Sequence, residues 1–224
     1  MNRQSKIWRI GIFLWMAGPS CAASAEVRVR LQIYSRVSPT ALREAKETAS
    51  WPLEQAGIRV SWTECSTRAG PSPEDPACRL APTPLDLQIR LIDEVMAKRV
   101  GRRSICMGFA IVAGEFNSIA AAYVHRARDL AANNLATQGQ ILGGIIAHEI
   151  GHLLDVTTHS KLGIMRGVWE DESLKALAKG RLWYTEAQAR WMCAALAKRA
   201  AAASSMGAVA LSPTASSHQI WRSK

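Results

Sequence analysis

The sequence predicts an α+β domain, and three observations support this fold class. The chain has 224 residues, 48% of them hydrophobic and 21% charged, which is typical of a globular protein with one well-formed core. Several short runs alternate between apolar and polar side chains, the pattern of half-buried strands. Other segments carry helix-start signals followed by apolar residues at helical spacing. Strands and helices are therefore expected to mix within a single domain.

The first 25 residues are predicted to be a signal peptide. Basic residues precede a short apolar run over residues 10–17, and the Ala-Ser-Ala at 23–25 is a typical cleavage site. The run is too short to span a bilayer. We expect cleavage before Glu26 and export, to the periplasm or by secretion, without stable membrane insertion. Lipid attachment at Cys21 is the alternative, although no leucine stands three residues before it.

The basic charge is interpreted as a solvated surface. The formal charge of +10 falls to +7 when residues 1–25 and their three bases are removed. A basic protein can bind nucleic acid, anionic membranes or acidic substrates. Here the lysines and arginines are scattered over the predicted strands and helices, without a dense run or interleaved aromatic residues. We therefore expect no nucleic-acid partner.

Four cysteines remain after residues 1–25, an even number that is consistent with an oxidising compartment. None of them has the C-x-x-C spacing of a zinc ribbon or a redox motif. Cys65 and Cys78 flank a proline-rich loop, and we expect them to form a disulfide. A second disulfide would then join Cys106 to Cys193. This is one of three possible connectivities.

The predicted elements follow one another without an internal repeat. Ser38 as cap and Pro39 at the first position begin a helix, which Pro52 bends or ends before Gly57. The loop over residues 66–84 is rich in Pro, Gly and Ser and is expected to be irregular. Alternating runs predict strands over residues 27–35, 58–62, 85–92, 109–112 and 120–124.

The best-marked helix begins with a capping box formed by Thr137 and Gln140. Apolar periodicity then continues over residues 141–154. At 100° per residue, these side chains divide into a face that can pack on a core and a face that can line a cleft. His148 and His152 lie on the second face.

A last helix is expected to begin after Thr185, which forms a second capping box with Gln188, and to end near Arg199. Residues 200–224 are rich in Ala and Ser and have few large apolar side chains, so they are predicted to be a disordered tail. The folded domain is therefore expected over residues 26–199.

Residues 148–152 form the motif H-E-x-x-H. Two histidines one helical turn apart can bind one tetrahedral Zn²⁺. Glu149 lies beside this face, where it can act as a general base toward a zinc-activated water. The competing interpretation is a structural histidine pair, which the intervening Glu149 disfavours. His125, in a predicted strand, is interpreted as a surface or hydrogen-bonded histidine rather than a ligand.

The run HEIGHLLDVTTHSKLGIM, residues 148–165, resembles the metzincin clan of zinc metallopeptidases (matrixin- or archaemetzincin-like). In that clan H-E-x-x-H-x-x-G-x-x-H is followed by a Met-turn beneath the metal. The resemblance implies that His148, His152 and His159 bind the metal, with Met165 in the Met-turn.

Two departures from the clan pattern concern the third ligand. Asp155 stands where the clan has glycine, and six residues rather than five separate His152 from His159. The glycine serves a turn with positive φ, which Asp adopts more readily than most residues. His159 is the predicted third ligand. Asp155, on the metal-facing side of the helix, is the alternative.

The resemblance also implies a fold and a function. The fold would be a small metzincin-like catalytic domain, with a mixed twisted sheet, an active-site helix, a Met-turn and a C-terminal helix. The function would be that of an exported zinc endopeptidase that hydrolyses a protein or peptide substrate, with Glu149 as general base. A non-catalytic zinc-stabilised binding module is one alternative, and a zinc amidase or another hydrolase is a second. A structural zinc site needs no such glutamate and usually has four protein ligands, which disfavours the binding module.

Overall fold

The structure, a computed structural model, describes residues 21, 25–66, 76–100, 106–113 and 116–210. These residues form an α+β domain around a five-stranded mixed sheet, as predicted. The strands are β1 (Ala25–Ile33), β2 (Ile58–Ser66), β3 (Asp86–Ile92), β4 (Gly108–Ala113) and β5 (Asn117–Tyr123). The helices are α1 (Pro39–Gln55), α2 (Glu94–Arg99), α3 (Val124–Ala131), α4 (Gln138–Leu153), α5 (Asp171–Ala178) and α6 (Glu186–Ala210).

The sheet has the strand order β2-β1-β3-β5-β4. The first three neighbouring pairs are parallel, whereas β4 runs antiparallel to β5 and lies at the edge. The alternating residues of β1 and β3 place their apolar side chains on one face, where they are fully buried. This face packs against the helices and forms the main core of the domain.

Helix α4 is held close to α1 by small residues. A Cβ added at Gly143 would lie 2.4 Å from the carbonyl oxygen of Ala45, and one added at Gly139 would lie 2.9 Å from that of Ala41. Only glycine therefore permits this short distance between the two helices. The predicted capping box at the start of α4 is present, since Thr137 and Gln140 exchange hydrogen bonds of 3.0 Å. The motif residues are consequently fixed at the end of a buried, well-anchored helix.

Three short helices were not predicted. α2 and α5 have six and eight residues, and α3 continues directly from β5. The expectation that His125 lies in a strand is wrong, because it is the second residue of α3, stacked on Tyr123 with ring centroids 5.6 Å apart. The last helix extends past its predicted end at Arg199, so α6 includes the first eleven residues of the predicted tail. Residues 211–224 lie outside the described part of the chain.

One of the two predicted disulfides is confirmed. Cys65 pairs with Cys78, but Cys193 pairs with Cys21 rather than with Cys106, which is a free thiol. The second prediction was wrong because Cys21 had been assigned to the removed signal peptide. Cys21 belongs to the main core and Cys193 packs against it, whereas Cys106 packs against a separate apolar cluster. A sulfur in a disulfide cannot carry a lipid, which also excludes the lipidated form of Cys21 in this structure.

Of the predicted signal peptide, residues 1–20 and 22–24 lie outside the described residues. Besides Cys21, the structure describes Ala25, the first residue of β1. Among the residues that are described, no helix is both long enough and apolar enough to cross a membrane.

A buried ion pair lies on the other face of the sheet. Arg30 of β1 is 8% exposed and Asp86 of β3 is 4% exposed, with Nε and Oδ1 3.2 Å apart. Asp86 also accepts hydrogen bonds from the amide and hydroxyl groups of Thr83. Burial by itself would raise the pKa of Asp86, but the hydrogen bonds from Thr83 and Arg30 outweigh it and lower the pKa.

We expect Asp86→Asn to reduce the free energy of unfolding by about 3–5 kcal/mol at neutral pH, because it leaves Arg30 buried without its counter-ion. Since the pKa of Asp86 is lower in the folded than in the unfolded state, its contribution is complete above the unfolded value of about 3.9 and is lost as the pH falls. Urea unfolding should therefore show a difference between the variants that shrinks below about pH 4. Glu64→Gln, at the surface pair with Lys46, is the control and should cost less than about 1 kcal/mol. A loss that is the same at every pH would contradict this assignment.

Candidate metal centre

The two histidines of the motif lie side by side near the end of α4. The Nε2 atoms of His148 and His152 are 3.2 Å apart. The Nδ1 atom of His148 is 2.8 Å from the carbonyl oxygen of Ile164, and that of His152 is 2.6 Å from the carbonyl oxygen of Val156. A backbone carbonyl can only accept, so each Nδ1 carries the proton and donates it. Each Nε2 is then left with a free lone pair, as a metal ligand requires.

Burial favours the same neutral form of these histidines. It lowers the pKa of His148 to about 4 and also lowers the pKa of His152. The hydrogen bonds to the carbonyl groups act in the opposite direction but are outweighed by burial. A neutral imidazole is the form that binds a metal ion.

The chain reverses direction directly after α4 at Asp155. This residue has φ +66°, in the left-handed region, and the amide of Val156 donates to the carbonyl oxygen of Gly151 over 3.0 Å. Such a bond around a left-handed residue is typical of a helix C-terminus that ends in a tight turn. The side chain of Asp155 is exposed. Asp155 thus takes the backbone conformation expected of the glycine in the resembling pattern.

The turn brings His159 back to the histidines of α4. One ligand atom from each of His148, His152 and His159 lies within 4.8 Å of the others. The ring centroid of His159 is 5.2 Å from those of both other histidines. In a tetrahedral zinc site with bonds of about 2.0–2.1 Å, nitrogen ligands lie about 3.4 Å apart. The three imidazoles are therefore a donor set that fits zinc, with Asp155 outside it.

The segment after His159 passes beneath this cluster. Met165 is fully buried. Its Sδ would lie 2.5 Å from a Cβ added at Gly151, the residue that precedes His152 in α4. The amide of Ser160 donates to the carbonyl oxygen of Met165 over 2.9 Å, which closes the loop. Met165 therefore lies below the histidines, where the sequence resemblance placed a Met-turn.

Glu149 lies beside the histidines and is almost completely buried, with 3% exposure. Its Oε2 has no hydrogen-bond partner among the described residues. Burial raises the pKa of Glu149 to about 8, because a carboxylate loses its hydration in an apolar environment. An isolated buried carboxyl group of this kind is costly for stability and is therefore a candidate for function.

These groups open into a cleft of about 470 Å³. The edge strand β4 forms one wall, and α4 with the loop around His159 forms the other. Among the described residues, its lining apart from Glu149 and the histidines is uncharged: Cys106, Met107, Gly108, Phe109, Ala110, Val112, Ile145, Thr157 and Gly167.

Sequence reasoning missed three residues of this site. Gly108 adjoins the carboxylate of Glu149. Gly167 adjoins the ring of His159, since a Cβ added at Gly167 would lie 3.0 Å from Nδ1 of that ring. Tyr184 donates a short hydrogen bond from its hydroxyl to the carbonyl oxygen of Ala147. It is buried in the main core, and burial raises its pKa above the ordinary value. Tyr184 therefore anchors α4 at Ala147, the residue before His148.

No protein-family model and no curated protein sequence matches the chain. Among solved structures, the crystal structure of archaemetzincin from Methanopyrus kandleri is similar, with a TM-score of 0.46 and 12% sequence identity. The match covers 79% of this chain and 98% of the archaemetzincin chain.

Proposed function

We propose that this protein is a zinc-dependent peptidase. The observation that carries the proposal is the convergence of His148, His152 and His159 beside the buried carboxyl group of Glu149 in one cleft. Three protein ligands with one open position are typical of catalytic zinc sites, whereas structural sites usually have four ligands. The three histidines would hold the ion through nitrogen atoms that the backbone carbonyls already orient.

When bound, zinc supplies a Lewis acid that polarises a carbonyl group and acidifies a water molecule. Glu149 then accepts the proton of the attacking water and returns it to the leaving amine. Burial alone keeps Glu149 protonated near neutral pH, since its pKa is about 8. The pKa should fall when positive charge is held by the neighbouring histidines. Glu149 would thus become an effective base only in the metal-loaded protein.

The edge strand β4 supports a peptide as the substrate. Its inner side pairs with β5, and no other strand pairs with it among the described residues. An extended peptide can add to such an edge through main-chain hydrogen bonds. Its scissile bond would then pass over the histidine cluster. The apolar side chains of Met107, Phe109 and Ile145 in the described lining favour substrates with apolar side chains next to that bond.

A non-catalytic zinc module is less consistent with the site. Such a module needs no carboxyl group beside its ligands, and an unpaired buried glutamate lowers stability.

Export is likewise part of the proposal. The two disulfides, which join Cys21 to Cys193 and Cys65 to Cys78, are consistent with folding in an oxidising compartment. The first of them requires that Cys21 stay in the chain, so the proposal does not include cleavage before Glu26.

We expect the oxidised protein to bind one equivalent of zinc and to cleave unstructured protein substrates. A chelator should abolish cleavage, because the three imidazoles alone cannot polarise a carbonyl group, and added zinc should restore it. Metal analysis and electrophoresis of the substrate measure the two effects. A set of non-peptide amides is tested in parallel. Cleavage of these amides alone would assign the site to another hydrolase class, and a failure to take up zinc would contradict the proposal.

A further inference from the structure

The edge strand β4 begins with a glycine that touches the candidate base. A Cβ added at Gly108 would lie 2.5 Å from Oε1 and 3.0 Å from Cδ of Glu149. Contacts closer than about 3 Å between such atoms are strongly repulsive. The carboxyl group of Glu149 therefore occupies the space that a side chain at position 108 would need.

The direction of Gly108 is set by the alternation of side chains along β4. Phe109 packs against the small apolar cluster with Tyr123, whereas Ala110 packs against the main core on the α4 side. Position 108 shares the face of Ala110. The residues of β4 that face α4 are thus small at its beginning, where Glu149 passes between helix and strand.

The backbone on the opposite side of Gly108 leaves little room for adjustment. The same added Cβ would lie 2.4 Å from the carbonyl oxygen of Ala121 in β5. Gly108 is paired with Ala122 in the antiparallel ladder, so this carbonyl group is fixed by the sheet. A side chain at 108 could not turn away from Glu149 toward β5. It would have to move the glutamate and also shift β4 relative to β5.

We propose that Gly108 is a positioning residue for the general base. By presenting no side chain, it leaves the space in which the Glu149 carboxyl group lies against the β4 backbone at the edge of the cleft, and any side chain at this position would displace that group. The inference rests on the proposed function. It adds a residue outside the H-E-x-x-H motif that determines where the proton acceptor lies.

The test combines Gly108→Ala with Glu149→Ala in a double-mutant cycle. Thermal unfolding measures the contact itself, with no substrate present. We expect Gly108→Ala to lower Tm clearly when Glu149 is present, and to lower it by about half as much or less when Glu149 is alanine, because only the clash with the carbonyl oxygen of Ala121 then remains. If Gly108→Ala alone does not fold, folding of the double variant supports the same conclusion.

Kinetics and metal analysis measure the positioning role. Gly108→Ala should keep one equivalent of zinc and a nearly unchanged KM, while kcat falls by about 100-fold, as expected for a catalytic group displaced by about 1 Å. Gly139→Ala is the matched control. Its Cβ would also meet a glutamate carboxylate, that of Glu44, at 2.3 Å, but it lies at the other end of α4. It should lower Tm without lowering kcat.

Equal losses of Tm in both backgrounds, or failure of the double variant to fold, would overturn the inference, because the clash with Ala121 would then be decisive. An unchanged kcat in Gly108→Ala would overturn it as well. If the wild-type protein binds zinc but cleaves no peptide, the proposed function fails, whereas the Tm cycle still decides whether Gly108 fixes Glu149.

Discussion

Replacement of Glu149 by glutamine is expected to reduce peptide-bond cleavage by about 10²–10⁴-fold while zinc remains bound. Glutamine has nearly the same size and shape, so the three histidines should keep their geometry. It cannot accept a proton from water, however, and the general-base step is lost. The expected result is a protein with full metal content and almost no activity, measured by metal analysis and by cleavage of an unstructured substrate.

The same variant should be at least as stable as the wild type. Glu149 is 3% exposed and its Oε2 has no partner among the described residues. A buried glutamate loses free energy either as a dehydrated carboxylate or by taking up a proton, whereas the amide of glutamine is neutral at every pH. Such a gain of stability with loss of activity is typical of residues retained for function. Glu172→Gln, at an exposed pair with Lys175, should change neither property. Undiminished cleavage by Glu149→Gln would exclude Glu149 from the mechanism.

Replacement of His159 by alanine is expected to reduce zinc affinity at least about 100-fold, because only two protein ligands remain of the three that a catalytic zinc site requires. Asp155→Ala should keep one equivalent of zinc, since the side chain of Asp155 is exposed and lies outside the histidine cluster. It should instead cost about 1–2 kcal/mol of stability, because alanine is strained at φ +66°. Metal titration and urea unfolding of both variants separate the two roles.

Asp155→Gly provides a sharper control for the turn. Glycine adopts positive φ without strain, so this variant should retain both zinc and stability. Loss of zinc from Asp155→Ala and Asp155→Gly, with retention by His159→Ala, would reverse the assignment and make Asp155 the third ligand.

The part of the site that was predictable from sequence is the part encoded by local patterns. The capping box at Thr137 fixes the start of α4, and helical spacing then places His148 and His152 on the same side. The conformation of Asp155 was likewise expected from its preference for positive φ. These features depend on residues a few positions apart, for which sequence rules are physically well founded.

Features that depend on distant segments were not predictable in the same way. Nothing near Gly108 in the sequence indicates that a carboxyl group 41 residues later will lie against it. The partner of Cys193 depends on where Cys21 lies in the fold, and cysteine spacing does not contain this information. Tyr184 supports α4 from a segment 37 residues away. The short helices α2 and α5 contain too few residues to show a clear apolar periodicity.

The disulfide between Cys21 and Cys193 spans 172 positions, so it closes nearly the whole domain into one covalent ring. The histidine cluster, the turn at Asp155 and all five strands lie inside this ring. A single break of the main chain between these two cysteines leaves one molecule, because both fragments stay joined through the sulfur atoms. A peptidase that nicks a neighbouring copy of itself would thus produce a product of unchanged mass apart from one added water. Only electrophoresis under reducing conditions would separate the pieces.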